Sequence, residues 1–581
     1  VSENALIEYG QTVALRANMN VTTPDEGDLV KTFIVEDLNN IKPLAQVFEF
    51  ETGNPYERPL VAEILDDAYK NHPDETSHPR VVRTKSDFDK LRGYVESDEN
   101  YALWFEQIKK NASSALTAAL PTYTYDVRNT ILSQSRLAMN NILTLAFMYQ
   151  MTGDDTYAEG VWRFAEVVCD KEKFPDWNAQ HHYLDTGEMG FAVALAYDWC
   201  YDYWTDERKQ IMETALYDNI VSISLGVFEG KYGYGGLKAA TNWNPVCNGG
   251  SICAAAAIFH KYPKEASRLI AYSTTALERC LTDYAPLGGY SESPTYWTYG
   301  TTYLMWCIST LDSLCGKDYS ISKAPGIKTT GYFPAYISGP CGNWNYHDGG
   351  TGYLDTSLSN FFAAKFDDKN LAGMRYNILK NGMYTKSINP DCKDLLFYNP
   401  DLINDNFSLD DLDLDFYYPK IETAVMRKSF IDRNSMFTGL HGGYNSANHG
   451  DLDAGSFILD VDGERIIDEL GSDNYALASY FSSGASGKRW QYYKKNAEGQ
   501  NSIMIADDSS VEHGQNPVAR VEINRFETNK SGAIAVADML PALGSKVESA
   551  KRGVMLCNDR TQTVVQDEIR FTSPTELYWL A

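Results

Sequence analysis

The 581-residue chain has the composition of a large globular protein, with 44% hydrophobic and 22% charged residues. This length exceeds one ordinary domain and indicates two to four. The formal net charge of -27 argues against nucleic acid or an anionic membrane as a partner. The sequence has no apolar run long enough for a transmembrane helix, so no membrane span is expected.

The first part of the chain is weakly periodic. Residues 1–77 are interpreted as an N-terminal appendage with two strand candidates, at 13–19 and 33–38. The sequence VSENALIEYG at the start does not have the pattern of a signal peptide.

A helical pattern then continues for most of residues 78–385 and forms pairs. The predicted pairs are 126–149 with 155–168, 184–201 with 206–223, and 245–260 with 264–281, and a fourth begins near Pro294. The spacing of roughly 55–60 residues is longer than that of common short solenoid repeats and fits long antiparallel hairpins. It favours an α/α toroid, an incomplete barrel of helical hairpins.

The texture changes after residue 385. An acidic linker at 401–415 is followed by short alternating stretches separated by Gly, Asn and Asp. Such stretches predict an antiparallel β-sandwich over residues 386–581. The chain ends within a strand-like run, so truncation of this domain is expected. The fold class is therefore multidomain α+β, with the toroid first and the sandwich second.

Three polar segments begin the first helices of successive pairs, around His182, Asn242 and Tyr296. In a toroid, these helix starts are expected to line one cleft, where free backbone N–H groups and the positive helix end suit a carboxylate. The alternative is that His182 and Asn242 only hold loop backbones in place.

Three sequence blocks resemble the heparinase II/III-like polysaccharide lyases. The blocks are GGYSESPTYWTYG, GLHGGYNSANHGDLDAGSFILDVDGERIIDELGSDNY and RWQYYKKNAEGQNSIMI, and the resemblance covers roughly residues 78–581. It implies a toroid followed by an antiparallel β domain, in agreement with the periodicity. It also implies cleavage of a uronic-acid-containing polysaccharide by β-elimination.

The resemblance assigns catalytic roles as well. Tyr296 matches the tyrosine that protonates the leaving oxygen and often removes the C5 proton, and His449 matches a histidine that acts as base or charge stabiliser. Asn242 lies where the family neutralises the uronate carboxylate, and His182 is included as a fourth catalytic residue. The expected substrate-binding residues are Trp243, Asn244, Asn248, Tyr299, Arg489, Trp490 and Glu188.

A metal site is the main departure from the family. Members of the family often bind a structural zinc ion through two histidines and an aspartate. Here Asp451 and Gln500 stand where the two histidines would be, and Asp468 stands at the aspartate. Oxygen donors suit Mn²⁺, Ca²⁺ or Mg²⁺ better than Zn²⁺, and one divalent cation is the expected cofactor. The alternative is that a hydrogen-bond network replaces the metal. No organic cofactor is expected.

The sequence therefore predicts a bacterial secreted or periplasmic lyase whose partner is an anionic polysaccharide, most simply a glycosaminoglycan. Alginate is the second substrate class. The rival functions are a glycoside hydrolase on an α/α toroid, which needs two carboxylates flanking the bond, and a non-catalytic glycan-binding protein.

Overall fold

A computed structural model describes residues 59–381, 390–404, 407–505 and 508–581. The two strand candidates of the N-terminal appendage lie outside the described residues. The chain divides into two compact units. The helical unit contains the described parts of 1–282, 299–325 and 389–398, and the mixed unit contains those of 283–298, 326–388 and 399–581.

The helical unit is built from long helices in chain order. They are α1 Val61–Asn71, α2 Lys85–Ser97, α3 Glu99–Ala115, α4 Leu132–Thr152, α5 Asp155–Cys169, α6 Tyr183–Trp199, α7 Asp206–Leu216, α8 Ser222–Phe228, α9 Trp243–Ala257 and α10 Pro263–Ala276. Helix α11, Glu278–Tyr284, and helix α12, Pro294–Cys315, follow, and the chain changes unit within each of them. The predicted helix pairs are confirmed as α4–α5, α6–α7 and α9–α10.

Side-chain caps mark the start of the second helix in two of the hairpins. Asp154 accepts a hydrogen bond from the Thr156 backbone at the start of α5, and Thr205 accepts one from the Arg208 backbone at the start of α7. Such caps satisfy backbone donors that have no partner within the helix. Short connections, residues 153–154 and 200–205, join the two helices of these pairs.

The first helices of consecutive pairs pack against one another, α4 on α6 and α6 on α9. All residues of α6 are buried. Glycine makes the α6–α9 contact close, because a Cβ at Gly250 would lie 2.0 Å from the carbonyl oxygen of Gly187. Within the described residues, no helix is long and apolar enough to cross a membrane.

The mixed unit combines short helices with antiparallel sheets. Its helices after α12 are α13 Phe333–Ile337, α14 Leu358–Phe366 and α15 Lys369–Asn381, and α16, Cys392–Phe397, belongs to the helical unit. Its strands are β1 Ser338–Gly339, β2 Gly342–Asn343, β3 Asp415–Tyr418, β4 Thr423–Arg427, β5 Phe437–His441, β6 Gly443–Tyr444, β7 Phe457–Val461, β8 Glu464–Ile467, β9 Ile503–Ile505, β10 Arg520–Val521, β11 Ile523–Asn529, β12 Gly532–Asp538, β13 Val547–Cys557, β14 Gln562–Phe571 and β15 Leu577–Trp579.

Two larger sheets form the strand-rich part of this unit. One has the order β3-β4-β5-β7-β8 and the other β11-β12-β13-β14, and all their neighbours are antiparallel. Alternate residues of β12 and β13 are buried, and they join apolar residues of β4, β5 and β7 in one core. The predicted strands after the acidic linker are confirmed. Loops 344–357 and 445–456 and the irregular segment 468–502 carry most of the polar side chains considered next.

Candidate active site

A histidine–aspartate pair lies in the mixed unit between two loops. His449 Nδ1 is 2.9 Å from Asp348 Oδ2, and the Asp348 backbone N–H donates to the His449 carbonyl. Because a carboxylate only accepts hydrogen bonds, Nδ1 carries the proton and Nε2 keeps a lone pair. His449 has a left-handed backbone with φ 65°. Uncommon backbone conformations of this kind are concentrated at functional sites.

Asp348 is the centre of a buried charge network. Its Oδ1 accepts hydrogen bonds from Arg489 (2.8 Å) and Tyr480 (2.5 Å), and Lys495 Nζ lies 3.0 Å away. Burial by itself raises the pKa of Asp348. The His449 hydrogen bond and the charges of Lys495 and Arg489 outweigh it and hold this pKa well below its usual range. Asp348 is therefore a fixed anion beside His449.

A second aspartate completes the network. Asp451 Oδ1 accepts from Arg489 at 2.9 Å and Oδ2 accepts from Lys495 at 2.9 Å. All four charged groups are buried, and two carboxylates face two cations. Such a pairing is needed because isolated buried charges are very costly.

Tyr296 packs directly on the histidine. Its ring stacks on His449 with centroids 4.0 Å apart, and its hydroxyl lies 2.5 Å from that of Tyr475. Tyr296 lies in the first turn of α12, whose first residue is Pro294 as the sequence predicted. Burial raises the pKa of Tyr296 above its ordinary value, although the Tyr475 hydrogen bond opposes this. Tyr296 therefore keeps its proton at neutral pH.

A third carboxylate faces the free nitrogen of the histidine. Glu292 Oε2 lies 4.0 Å from His449 Nε2 and accepts a 2.6 Å hydrogen bond from Asn448. Glu292 is buried, whereas Asn448 is exposed. The lone pair of His449 is thus directed to the same region as a buried carboxylate and an exposed amide.

The helical unit holds a second histidine–aspartate pair. His182 Nδ1 lies 2.7 Å from Asp185 Oδ1, and the other oxygen of Asp185 accepts from the Ile131 backbone and from Asn178. The His182 ring meets the Trp243 ring edge-on, with centroids 4.8 Å apart. The structure therefore brings these two predicted residues together, and His182 remains partly exposed.

The three predicted asparagines lie at the start of α9. Asn244 donates to the carbonyls of Ala239 and Ala276, and Asn248 donates to those of Leu237 and Asn244. Both amides hold backbone carbonyls of the loop before α9 and of helices α9 and α10. Asn242 is the N-cap residue of α9 and is buried. The helix begins at Trp243, two residues before the predicted Pro245.

Glu188 and Tyr299 form a cluster with an arginine in the helical unit. The Tyr299 hydroxyl donates to Glu188 Oε1 at 2.5 Å, and Arg136 Nε lies 3.1 Å from the same oxygen. Burial raises the pKa values of both Glu188 and Tyr299. The side chain of Arg136 is 46% exposed, so this cluster presents a cation to solvent.

The remaining predicted site residues have other surroundings. Trp490 is fully buried and donates to the Gly484 carbonyl, and Arg489 is committed to the two aspartates. Of the predicted metal set, Asp468 is exposed and lies 3.7 Å from Arg465. The amide nitrogen of Gln500 donates to a backbone carbonyl. In the described parts of the chain, no group of three His, Cys, Asp or Glu ligands contains Asp451 or Asp468.

Sequence reasoning missed several residues of this site. Asp348, Glu292, Tyr475, Tyr480 and Lys495 were not predicted. Glu292 and Asp348 lie within the segments GGYSESPTYW and NWNYHDGG, which were recognised as motif or loop. The signal for Asp348 was a carboxylate next to histidine in a glycine-rich loop, a pattern that does not identify its partner.

Comparison with known proteins identifies the fold. No protein-family model and no curated protein sequence matches this chain. Among solved structures it is similar to a heparinase III, with 14% identity and a TM-score of 0.50 over 78% of this chain and 67% of that one. It also aligns with the heparan sulfate lyase HepC of Pedobacter heparinus, with 13% identity and a TM-score of 0.46 over 85% and 80%. The chain thus has a fold found in polysaccharide lyases.

Proposed function

We propose that this chain is a polysaccharide lyase that cleaves a uronic-acid-containing polymer by β-elimination. The observation that carries the proposal is the stacked pair of Tyr296 and His449, with Asp348 fixing the histidine tautomer. The resemblance of the sequence blocks and the similarity to heparinase III support the same class. In keeping with that class, we interpret the helical hairpins as an α/α toroid and the sheets as a β-sandwich.

His449 is proposed as the base. Its Nε2 takes the C5 proton of the uronate, the C–H electrons form the C4–C5 double bond, and the bond from C4 to the leaving oxygen breaks. The resulting imidazolium is stabilised by the Asp348 carboxylate, as a buried aspartate stabilises histidine in hydrolase triads. Such positioned proton transfer typically contributes about 10²–10⁴-fold to the rate.

Tyr296 is proposed as the acid. Its raised pKa keeps the phenol protonated, so it is suited to deliver a proton to the departing oxygen rather than to begin as a base. The hydrogen bond with Tyr475 holds the hydroxyl in one position. The resemblance implies that Asn242 neutralises a uronate carboxylate, where a good donor contributes about 3–4 kcal/mol to transition-state stabilisation, and the catalytic role of His182 stays a prediction.

A glycosaminoglycan is the proposed substrate class, and alginate is the second. The contacts of Asp348 argue against a glycoside hydrolase, because a hydrolase needs two carboxylates that are free to act at the glycosidic bond. Asp348 is instead saturated by Arg489, Lys495, Tyr480 and His449. We place the enzyme outside the cytoplasm, where such polymers occur.

The test is ultraviolet absorbance during incubation with heparan sulfate, hyaluronan, chondroitin sulfate and alginate. A lyase product contains an unsaturated uronate that absorbs, whereas a hydrolase product does not. The Tyr296→Phe variant is expected to lose at least about 10²-fold in kcat while still binding the polymer. Tyr299→Phe is measured in parallel, since Tyr299 is the neighbouring phenol one turn along α12 and the alternative acid.

Two results would reject the proposal. Reducing ends formed without ultraviolet absorbance would identify a hydrolase. Polymer binding by calorimetry without any product would identify a glycan-binding protein. Normal activity of Tyr296→Phe together with loss in Tyr299→Phe would transfer the acid role to Tyr299.

A further inference from the structure

Three ligand-type side chains meet in the interior of the mixed unit. His347, His441 and Asp453 are 2%, 1% and 1% exposed, and their ligand atoms all lie within 4.8 Å of one another. Among the described residues this is the only such group of histidine, cysteine and carboxylate ligands. It differs in every residue from the set that the sequence predicted.

The hydrogen bonds on the far side of each imidazole determine its tautomer. His347 Nδ1 is 3.0 Å from the Ser291 carbonyl, which can only accept, so Nδ1 carries the proton. His441 Nδ1 is 2.8 Å from Thr423 Oγ1, whose own hydroxyl donates to the Ile421 carbonyl. Thr423 therefore accepts from His441 Nδ1, and in both neutral rings the lone pair is on Nε2.

Both lone pairs face the same carboxylate. The Nε2 atoms of His347 and His441 lie 3.5 and 3.9 Å from the two oxygens of Asp453. These separations exceed those of a charge-assisted hydrogen bond, about 2.7–2.9 Å. Within the described part of the chain, neither Nε2 nor either Asp453 oxygen has a hydrogen-bond partner. Buried acceptors that face each other in this way are unfavourable unless a proton or a metal ion lies between them.

We propose that His347, His441 and Asp453 bind a divalent first-row metal ion, with zinc as the preferred ion. Imidazole nitrogen and carboxylate oxygen are ligands that suit zinc, and Nδ1 hydrogen bonds to protein acceptors are the usual means of orienting metal-binding histidines. Bonds of about 2.0–2.1 Å in a tetrahedral site place neighbouring ligands about 3.3 Å apart. The observed separations require only a small closure around the ion.

The fourth ligand is a water molecule or Glu469. Glu469 is buried, its Oε2 has no hydrogen-bond partner among the described residues, and its charge interacts with that of Asp453. Two neutral imidazoles and two carboxylates would balance the charge of a divalent ion. Water would leave one positive charge on the site.

The ion would join the two loops of the candidate active site. His347 directly precedes Asp348, and Asp453 follows His449 by one short turn of chain. His347 has a left-handed backbone with φ 59°, as His449 does. A metal at this position stabilises the loop conformations that hold the His449–Asp348 pair. The site itself does not depend on the proposed lyase function.

The experiment measures metal content and thermal stability of the full chain. Purified protein is stripped with a chelator, dialysed against Zn²⁺, Mn²⁺ or Ca²⁺, and analysed by elemental mass spectrometry and by thermal melting. We expect about one Zn²⁺ per chain, and a melting temperature that falls by roughly 5 °C or more on chelation and recovers on zinc addition.

Two variants distinguish this site from the set predicted from sequence. Asp453→Asn should lose zinc and its effect on the melting temperature, yet fold, because the new amide can donate to an Nε2 lone pair. Asp468→Asn changes an exposed carboxylate of the same unit, and this variant should keep both the bound zinc and its effect on the melting temperature. Glu469→Gln identifies the fourth ligand. A weaker hold on zinc in this variant indicates the Glu469 carboxylate, and unchanged zinc binding indicates water.

The proposal is overturned by wild-type protein that binds less than about 0.2 Zn²⁺ per chain and melts identically with and without chelator. It is equally overturned if Asp468→Asn loses the metal while Asp453→Asn keeps it. These readouts do not involve catalysis, so an inactive protein that binds zinc would reject only the proposed function.

Discussion

The substitution Asp348→Asn separates the catalytic role of the histidine–aspartate pair from its structural role. Asparagine has nearly the same shape, but its amide cannot reproduce two anionic oxygens. With Asp348 ionised, Nδ1 of His449 holds the proton and Nε2 is free to accept one. An amide N–H facing Nδ1 would favour the opposite tautomer, with the proton on Nε2, where it blocks the base.

The size of both effects follows from the network. An aspartate-to-asparagine change that reverses a catalytic histidine tautomer costs about 10⁴ in kcat in a hydrolase triad, so a loss of about 10³–10⁴ is expected. The buried charges of Asp348, Asp451, Arg489 and Lys495 sum to zero, and the variant leaves one uncompensated positive charge. Breaking a buried ion pair in this way costs about 3–5 kcal/mol of folding stability.

Asp451→Asn is the matched control. It removes one negative charge from the same two cations but from a carboxylate whose hydrogen bonds go to Arg489 and Lys495. We expect a similar loss of unfolding free energy, measured by denaturant titration, with a fall in kcat of at most about tenfold per folded molecule. Equal losses of kcat in the two variants would refute the assignment of Asp348 as the residue that orients His449.

Two further predictions concern the helical unit. Asn242→Ala should lower kcat/KM for a uronate polymer by about 10²-fold or more, and a near-normal rate would remove Asn242 from the carboxylate site. Burial and the charge of Arg80 lower the pKa of His78 from 6.5 to about 4, despite the hydrogen bond to Asp198. The unfolded chain therefore takes up this proton first, and about 3 kcal/mol of stability is lost as pH falls from 6.5 to 4. His78→Gln should flatten that part of the denaturation profile, and an unchanged slope would contradict the assignment.

Periodicity predicted the three helix pairs of the helical unit and the strands that follow the acidic linker. Helices such as α4 and α10 bury one face at helical spacing, whereas α6 and α9 are buried almost throughout. The strands from β4 onward alternate or carry short apolar runs. The spacing of apolar residues is a local property of the sequence, and in these elements the tertiary packing agrees with it. The glycines that let α6 and α9 approach were not recognised, because the need for a missing Cβ arises only when two distant helices meet.

The candidate site was predictable only where a motif names the residue. Tyr296 and His449 were found through sequence blocks, and the structure brings their rings together. Asp348 precedes His449 by about a hundred residues, and its importance follows from the partners it meets there. The side chains of Asn244, Asn248 and Trp490 make backbone contacts or lie in the core, and their contact with substrate stays a prediction.

The surroundings of Asp451 show why ligand substitution alone is a poor guide to metal content. Two oxygen donors in place of histidines suggested a harder metal ion at Asp451, Asp468 and Gln500. The structure instead places Arg489 and Lys495 against Asp451, so protein cations balance this carboxylate. This favours the alternative in which a hydrogen-bond network replaces a metal at that position. Among the described residues, the buried acceptors without a hydrogen-bond partner lie instead at Asp453, His347 and His441, where we propose the metal ion.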